Sequence, residues 1–587
     1  MVKQVREWFQ ERYQVEPPDC EDCLVYASGG EVLAFAPLKL ATFLTAAVEH
    51  LYTQQTLSAN SVVVWRACAL AELRFGLRPG QFWLHEFSTL ADDETVRGLL
   101  QDYYRGLTPD AFLKRKTFGE VTSALALERL RAREGNPTPQ KASKPPPRFE
   151  TIPYARRCHS CEHRNAVIEA PLGTWLCEPC ARKRAFGQKA KKEVTAALQW
   201  FDDGGFNWKP LAAKAWGTRF EEWLQSSESL ELSQDYYQHV ERHRVYPADD
   251  LEDIAAAARP EGFIGVIYAD GNNMGALLEE LATPTNYQAF AEAIYKTTMQ
   301  ATFTALATHL RPHRHEGRWR HPFEVLSIGG DDVFLIVPAH AALPIAMTIA
   351  TCTETRLRED HSVPTAQGYT WQQVHRITPP ADRQVPAVQS RVALSSGVVI
   401  ADQHTPVFLL RRMVEELLQS AKAKARQLRE AGYYGATLDF IALKSFGMLA
   451  TNVRAFRDNV LRQGALHLTA KPYTEPELSA LIAAVKTLKQ VAFPKSQLYR
   501  LREQLTKGRL ASTMDYLYLQ ARSQQAEQLR SVLSARWSGY EPQGHTASTG
   551  VWMRRDTPSG ELEWETVLGD VAELYDFVPA GGETYGA

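Results

Sequence analysis

At residues 328–332 the chain reads Ile328-Gly329-Gly330-Asp331-Asp332, set between apolar runs at 323–327 and 333–337. That pattern predicts a β-hairpin whose tip carries two adjacent acids. The glycines permit tight backbone conformations and close approach by a phosphate chain, and Asp331 and Asp332 point to opposite faces of the following strand. At least one of them therefore faces a ligand. Adjacent aspartates repel unless a cation neutralises them, and hard divalent ions such as Mg²⁺ or Mn²⁺ favour carboxylate and phosphate oxygens. The chemistry these residues suit is the handling of a metal-bound triphosphate. The string is weak alone, because many hairpins turn on Gly-Gly or Gly-Asp.

Its upstream context strengthens it. An apolar strand beginning at Phe263 delivers Asp270 to its end, and Gly271-Asn272-Asn273-Met274-Gly275 turns into a helix expected over 276–281. A helix N-terminus flanked by Gly271 and Gly275 suits an approaching phosphate. Next come a helix over 287–310, the two hairpin strands, a helix near 341–357, a strand over 391–401 and a helix near 407–430. The order βααββαβα is that of the ferredoxin-like palm of nucleotidyl polymerases and cyclases. In such a palm Asp270, Asp331 and Asp332 converge on two metal ions.

With these strings in their order, together with Ser395-Ser396-Gly397-Val398-Val399-Ile400 and the helix ending Leu418-Gln419-Ser420-Ala421-Lys422-Ala423-Lys424, the chain resembles the large, palm-containing subunit of type III CRISPR–Cas effector complexes, of Csm or Cmr type. The resemblance spans roughly residues 20–540. It implies a cytoplasmic subunit that converts ATP into cyclic oligoadenylates when its complex, with crRNA and with small and backbone subunits, captures target RNA. By the same resemblance Asp270, Asp331 and Asp332 hold Mg²⁺ or Mn²⁺, and Gly271, Asn272, Gly275, Gly329 and Gly330 lie against nucleotide. Lys422 or Lys424 would contact the triphosphate, although a lysine on an amphipathic helix is most often solvated.

The chain also echoes itself. Ser28-Gly29-Gly30-Glu31-Val32-Leu33-Ala34-Phe35-Ala36, followed by Pro37 and an Ala/Leu-rich helix, parallels the stretch from Ile328 to Pro338. Val32 stands where Asp332 does in the second copy, so Glu31 lacks the partners for two metals. This looks like the family's degenerate first palm.

Cys158-x2-Cys161 and Cys177-x2-Cys180, separated by 15 residues, have the two-knuckle spacing of a zinc ribbon. Four thiolates leave no open coordination position, so a Zn²⁺ here stabilises rather than catalyses. Two disulfides are the competing reading; they need an oxidising compartment and a secretion signal, and the charged amino terminus shows none. Cys20 and Cys23 form a third pair without a match, and Cys68 and Cys352 read as core residues.

The 587 residues, 44% of them apolar, provide for several domains, and a net charge of −2 gives no global field to capture nucleic acid. RNA contact must be local or shared with partners. One candidate is the His/Arg-rich stretch 309–321, whose bland reading is a solvated basic loop. No long apolar run suggests a membrane segment.

The expected fold is α+β and multidomain: two ferredoxin-like palms, the first degenerate, a zinc ribbon and a C-terminal helical bundle. The expected boundaries are 1–133 for the shortened first palm, 134–152 for a Pro/Lys-rich linker, 153–190 for the ribbon, and 191–258 for a helical connector. The catalytic palm follows over 259–446, a helical domain over 447–540 and a tail over 541–587, with 361–389 protruding from the palm as a loop. Many members of the family begin with an HD nuclease domain; the chain has no His-Asp dipeptide, so DNase activity of that kind is not expected. Two other readings remain: a scaffold subunit binding nucleotide and RNA without turnover, and a stand-alone nucleotide cyclase. Three clustered carboxylates favour an enzyme, since a scaffold has no need of their repulsion.

Overall fold

The computed structural model describes residues 23–135, 152–191, 199–206, 208, 214–381, 383–444, 452–522, 524–537, 551–556 and 562–580. The expected Pro/Lys-rich linker and Cys20 lie almost wholly or wholly outside these. The chain divides into two compact units, 1–219 with 274–291, and 220–273 with 292–587.

In the first unit, strands Leu24–Ser28 and Glu31–Ala34 pair as a hairpin turning on Gly29-Gly30, and Pro37 precedes the helix Leu38–Thr56. The hairpin, proline and helix of the internal echo are thus present. A complete first palm is not: among the described residues of this unit, the only other sheet is the two-stranded one in the cysteine region. Residues 61–65, Ser-Val-Val-Val-Trp, have strand composition but run without a strand partner, and the Val63 N–H donates instead to Glu49 Oε1 at 2.9 Å. Cys68, three residues further on, is exposed, which corrects its expected place in the core. Short helices follow. Pro109 starts one of them, the Thr108 hydroxyl caps it by accepting from Ala111 N–H, and Phe87, Tyr104 and Phe112 pack into an aromatic core.

The second unit is built on a six-stranded sheet. Its elements are β1 (Phe263–Gly271), α1 (Pro284–His309, from residue 292 onward), β2 (Glu324–Gly329), β3 (Asp332–Pro338) and α2 (Ala339–Glu359), then β4 (Leu394–Asp402), α3 (Val407–Arg429), β5 (Thr437–Ala442) and β6 (Tyr473–Thr474). The sheet order is β6-β5-β4-β1-β3-β2. The βααββαβα order therefore holds, with the helix after β1 at Met274–Glu279. Strands β5 and β6 extend it beyond expectation, because a short, mostly apolar stretch such as 437–442 cannot be told from buried helix by periodicity.

α3 places Leu410, Met413, Val414, Leu417, Leu418 and Ala421 in a buried stripe with helical spacing. It lies against β4 at Gly397, where an added Cβ would meet Val414 O and, at 2.7 Å, Leu418 N. The absent side chain sets how close the helix comes. Ile264, Val266, Val399, Leu410, Met413 and Leu417 form one core, each buried side chain contributing roughly 1.5–3 kcal/mol.

The stretch at 361–389 does not protrude. Thr365–Gln367 pairs with Val388–Ser390, and Trp371, Val374 and Ile377 are buried. Arg376 donates to Glu477, Glu565 and the carbonyls of Ala470 and Pro472. Apolar side chains and one heavily paired arginine hold in place what polar composition alone marked as a loop. Helices Glu475–Gln490, Lys495–Leu505, Arg509–Arg522 and Gln524–Ser534 follow. Within the stretch expected as a tail, Met553–Asp556 pairs with Leu562–Glu565, the helix Leu568–Leu574 is buried throughout, and Glu573 Oε1 accepts from Ala442 N–H of β5 at 2.7 Å.

Candidate active site

β1 and β3 pair antiparallel with Val333 opposite Ala269, which sets Asp332 beside Asp270 on neighbouring strands. The turn between β2 and β3 needs Gly330 at φ +70°, a conformation glycine adopts at little cost. Asp331 and Asp332 feel Asp270 through its charge and through side-chain hydrogen bonding. Burial first, and then the charge of Asp270, push the Asp331 carboxyl up to about 6 and that of Asp332 up to about 7. A set of acids held in this state favours a cation.

Lys422, from the covering helix α3, is the cation present: its ammonium donates to Asp270 Oδ2, and its charge also lowers both hairpin acids. The charge of Lys424 acts instead on Glu477 and His375. Asn272 is buried, its backbone N–H donates to Ala393 O, and neither side-chain polar atom has a hydrogen-bond partner. Such an orphaned amide beside Asp270 suits a ligand. Gly271 ends β1 and Gly329 ends β2, whereas Gly275 lies in the helix Met274–Glu279 of the first unit.

Tyr268 was not anticipated. It sits two residues before Asp270 on the same strand face, with its ring 5.4 Å from that of Phe334, and its hydroxyl reaches Asp332 Oδ1 at 3.5 Å. Burial, then the charges of Asp332 and Asp270, raise its phenol to about 12, so it remains a donor. The period-two alternation back from Asp270 was the available signal.

The all-oxygen set of Asp270, Asp331 and Asp332 fits Mg²⁺ or Mn²⁺ in donor chemistry. The tighter cluster is elsewhere. Ligand atoms of Cys158, Cys161, Cys177 and Cys180 all lie within 4.8 Å of one another, and no other such group of three or more occurs among the described residues. Cys161 Sγ and Cys177 Sγ are 3.8 Å apart, the edge of a tetrahedron with metal–sulfur bonds of about 2.3 Å. The paired strands Ile168–Ala170 and Thr174–Leu176 and the helix Glu178–Ala190 carry the second knuckle. Burial works against ionisation at Cys161, but the N–H groups of Arg164 and His163 draw its thiol down to about 6.

The His/Arg-rich stretch is no solvated loop. His313–His315 and Arg318–Arg320 form a hairpin joined to Val245–Tyr246. His315 meets Asp253 at 2.9 Å, and His321 bridges Tyr236 and Glu221 at 2.8 and 2.9 Å. Those acids, distant in sequence, could not be paired with it by inspection.

With this geometry in view, residues 263–431 match the family described as Cas10/Cmr2, second palm domain. That segment is thereby defined as a palm domain. In particular, the palm is of the kind carried by the large subunit of type III CRISPR systems, as its motifs led one to expect. No curated protein matches the chain. Among solved structures, Csm1 in T. onnurineus is 13% identical over 46% of this chain and 32% of that one, with a TM-score of 0.29. A Csm1–Csm4 cassette in complex with cA4 is 12% identical over 43% and 30%, at 0.28. A Csm1–Csm4 cassette in complex with pppApA is 13% identical over 72% and 49%, at 0.31. The chain thus covers less than half the length of each, and overlap this loose carries the comparison no further. No described helix is long and apolar enough to cross a membrane.

Proposed function

We propose that the chain is the large subunit of a crRNA-guided type III CRISPR effector complex and that its palm joins ATP into cyclic oligoadenylates when target RNA binds. The observation that carries this reading is the meeting of Asp270, Asp331, Asp332 and Lys422 at one end of a sheet, within the segment that matches a Cas10/Cmr2 palm. Mg²⁺ or Mn²⁺ held by the three aspartates would acidify the attacking 3′-hydroxyl and offset charge on the departing pyrophosphate. The chain's own residues do the rest. Gly329 and Gly330 let the triphosphate approach the backbone, and the orphaned Asn272 amide is free to hydrogen-bond it. Lys422, which pairs with Asp270, would place its ammonium on phosphate oxygens, a charge-assisted contact that orients the reacting phosphorus. No side-chain base is assigned to the hydroxyl proton. The four-cysteine cluster holds a structural Zn²⁺.

The test is the Asp331→Ala/Asp332→Ala variant incubated with labelled ATP, Mn²⁺, the assembled complex and matching target RNA. Loss of product with the zinc content retained supports the assignment; continued synthesis rejects it. A scaffold reading draws on the Lys422–Asp270 pair, which already neutralises one acid. Absence of product from the wild-type assembled complex would select it.

A further inference from the structure

The small sheet formed by Val245–Tyr246, Arg318–Arg320 and His313–His315 carries two sets of arginines. The first set is engaged within the fold: Arg311 pairs with Asp235, Arg320 with Asp249, and Arg242 with Glu221. The second set is not. Arg244 and Arg314 are exposed, and neither guanidinium has a hydrogen-bond or ion-pair partner among the described residues. Both line an open groove of about 590 Å³, together with Tyr237, Gln238, His239 and Trp319. Arg314 stands opposite Trp319 in the hairpin register and Val245 opposite Trp319 on the other side, so Arg314 and the indole share one face of the sheet. Trp319 is half-buried, fixed by the sheet while it reaches the groove. The groove's acid, Glu241, lies 3.5 Å from His243 Nε2.

Two unpaired guanidiniums beside a held indole are the chemistry that recognises a phosphate and the base next to it. An enclosed cleft would suit a free nucleotide, whereas an open groove lets a strand run through at both ends. We propose that this groove binds single-stranded RNA, with Arg244 and Arg314 on backbone phosphates and Trp319 stacking on a base. The assignment rests on RNA being a partner of this protein, as in the function proposed above, and is independent of turnover at the aspartates.

The full chain is titrated into a short fluorescein-labelled oligouridylate and binding is followed by anisotropy over a salt series. Arg244→Ala/Arg314→Ala weakens binding at least about tenfold and flattens the slope of log affinity against log salt by about 1.4, two phosphate contacts at about 0.7 each. Trp319→Ala weakens it by about fivefold or more. Arg244→Lys/Arg314→Lys keeps the salt slope while losing part of the affinity, which guards against misfolding in the alanine variant. Unchanged affinity in the alanine variant overturns the proposal, as does absence of binding by the wild type at low salt. ATP displacing the RNA from wild type, but not from the alanine variant, would instead mark a mononucleotide site and also overturn it. Asp331→Ala/Asp332→Ala must bind the RNA as wild type does, so a failed groove and a failed active site are told apart.

Discussion

Two lysines two positions apart on one helix have opposite fates. Lys422 reaches Asp270, while Lys424 acts on Glu477 and His375. Lys422→Ala is therefore expected to lower kcat/KM for ATP by roughly 10–100-fold, the worth of a charge-assisted hydrogen bond of about 1.5–3 kcal/mol. Lys424→Ala should leave ATP kinetics unchanged and lower the melting temperature; steady-state kinetics and a thermal scan on both variants decide this. Sequence narrowed the choice to these two, and only the orientation of α3 separates them. The aspartates were legible because Asp270 lies at the end of an apolar strand and Asp331 and Asp332 stand at the turn between two apolar runs. Tyr268 carried only the signal of period-two alternation from Asp270 and otherwise looks like any strand aromatic, and the pairing of His315 with Asp253 was not legible because it joins residues far apart in sequence.

Helix α3 and strand β5 show how elements set the site. Gly397→Ala puts a methyl against Val414 O and Leu418 N, which should push α3 outward, cost about 1–3 kcal/mol and weaken ATP binding through Lys422; denaturant unfolding and ATP titration measure both effects. On the other helix, α2, Glu354 accepts from Ala436 N–H at 2.6 Å, and burial pushes its carboxyl up to about 7. A folded value raised above the unfolded one means the ionised form is penalised, so this group costs stability as pH rises from about 4.5 through 7. Glu354→Gln is expected to raise the melting temperature at pH 8 by about 3 °C and to make little difference near pH 4. Equal shifts at both pH values would contradict the titration. In the cysteine cluster, Cys161→Ser should abolish retention of about one zinc per chain, read by elemental analysis.

At the scale of the whole molecule, the palm from β1 to α3 was legible because long periodic segments with a distinctive order admit few alternatives, and residues 263–431 match a known palm. The stretch 361–389 was read as a protruding loop and the helix Leu568–Leu574 was missed within the expected tail, because Arg376 and Glu573 gain meaning only from their distant partners. Arg376→Ala leaves Glu477 buried without its counter-charge and should destabilise the second unit by about 3–5 kcal/mol, seen as early unfolding in hydrogen exchange across 361–389 and 562–580 together. The most direct test of the account is mass spectrometry of the products formed from ATP by the assembled complex with matched and with mismatched target RNA. Cyclic oligoadenylates with the matched RNA alone are the predicted result; no cyclic product with either, from a complex shown to bind its target, would contradict it.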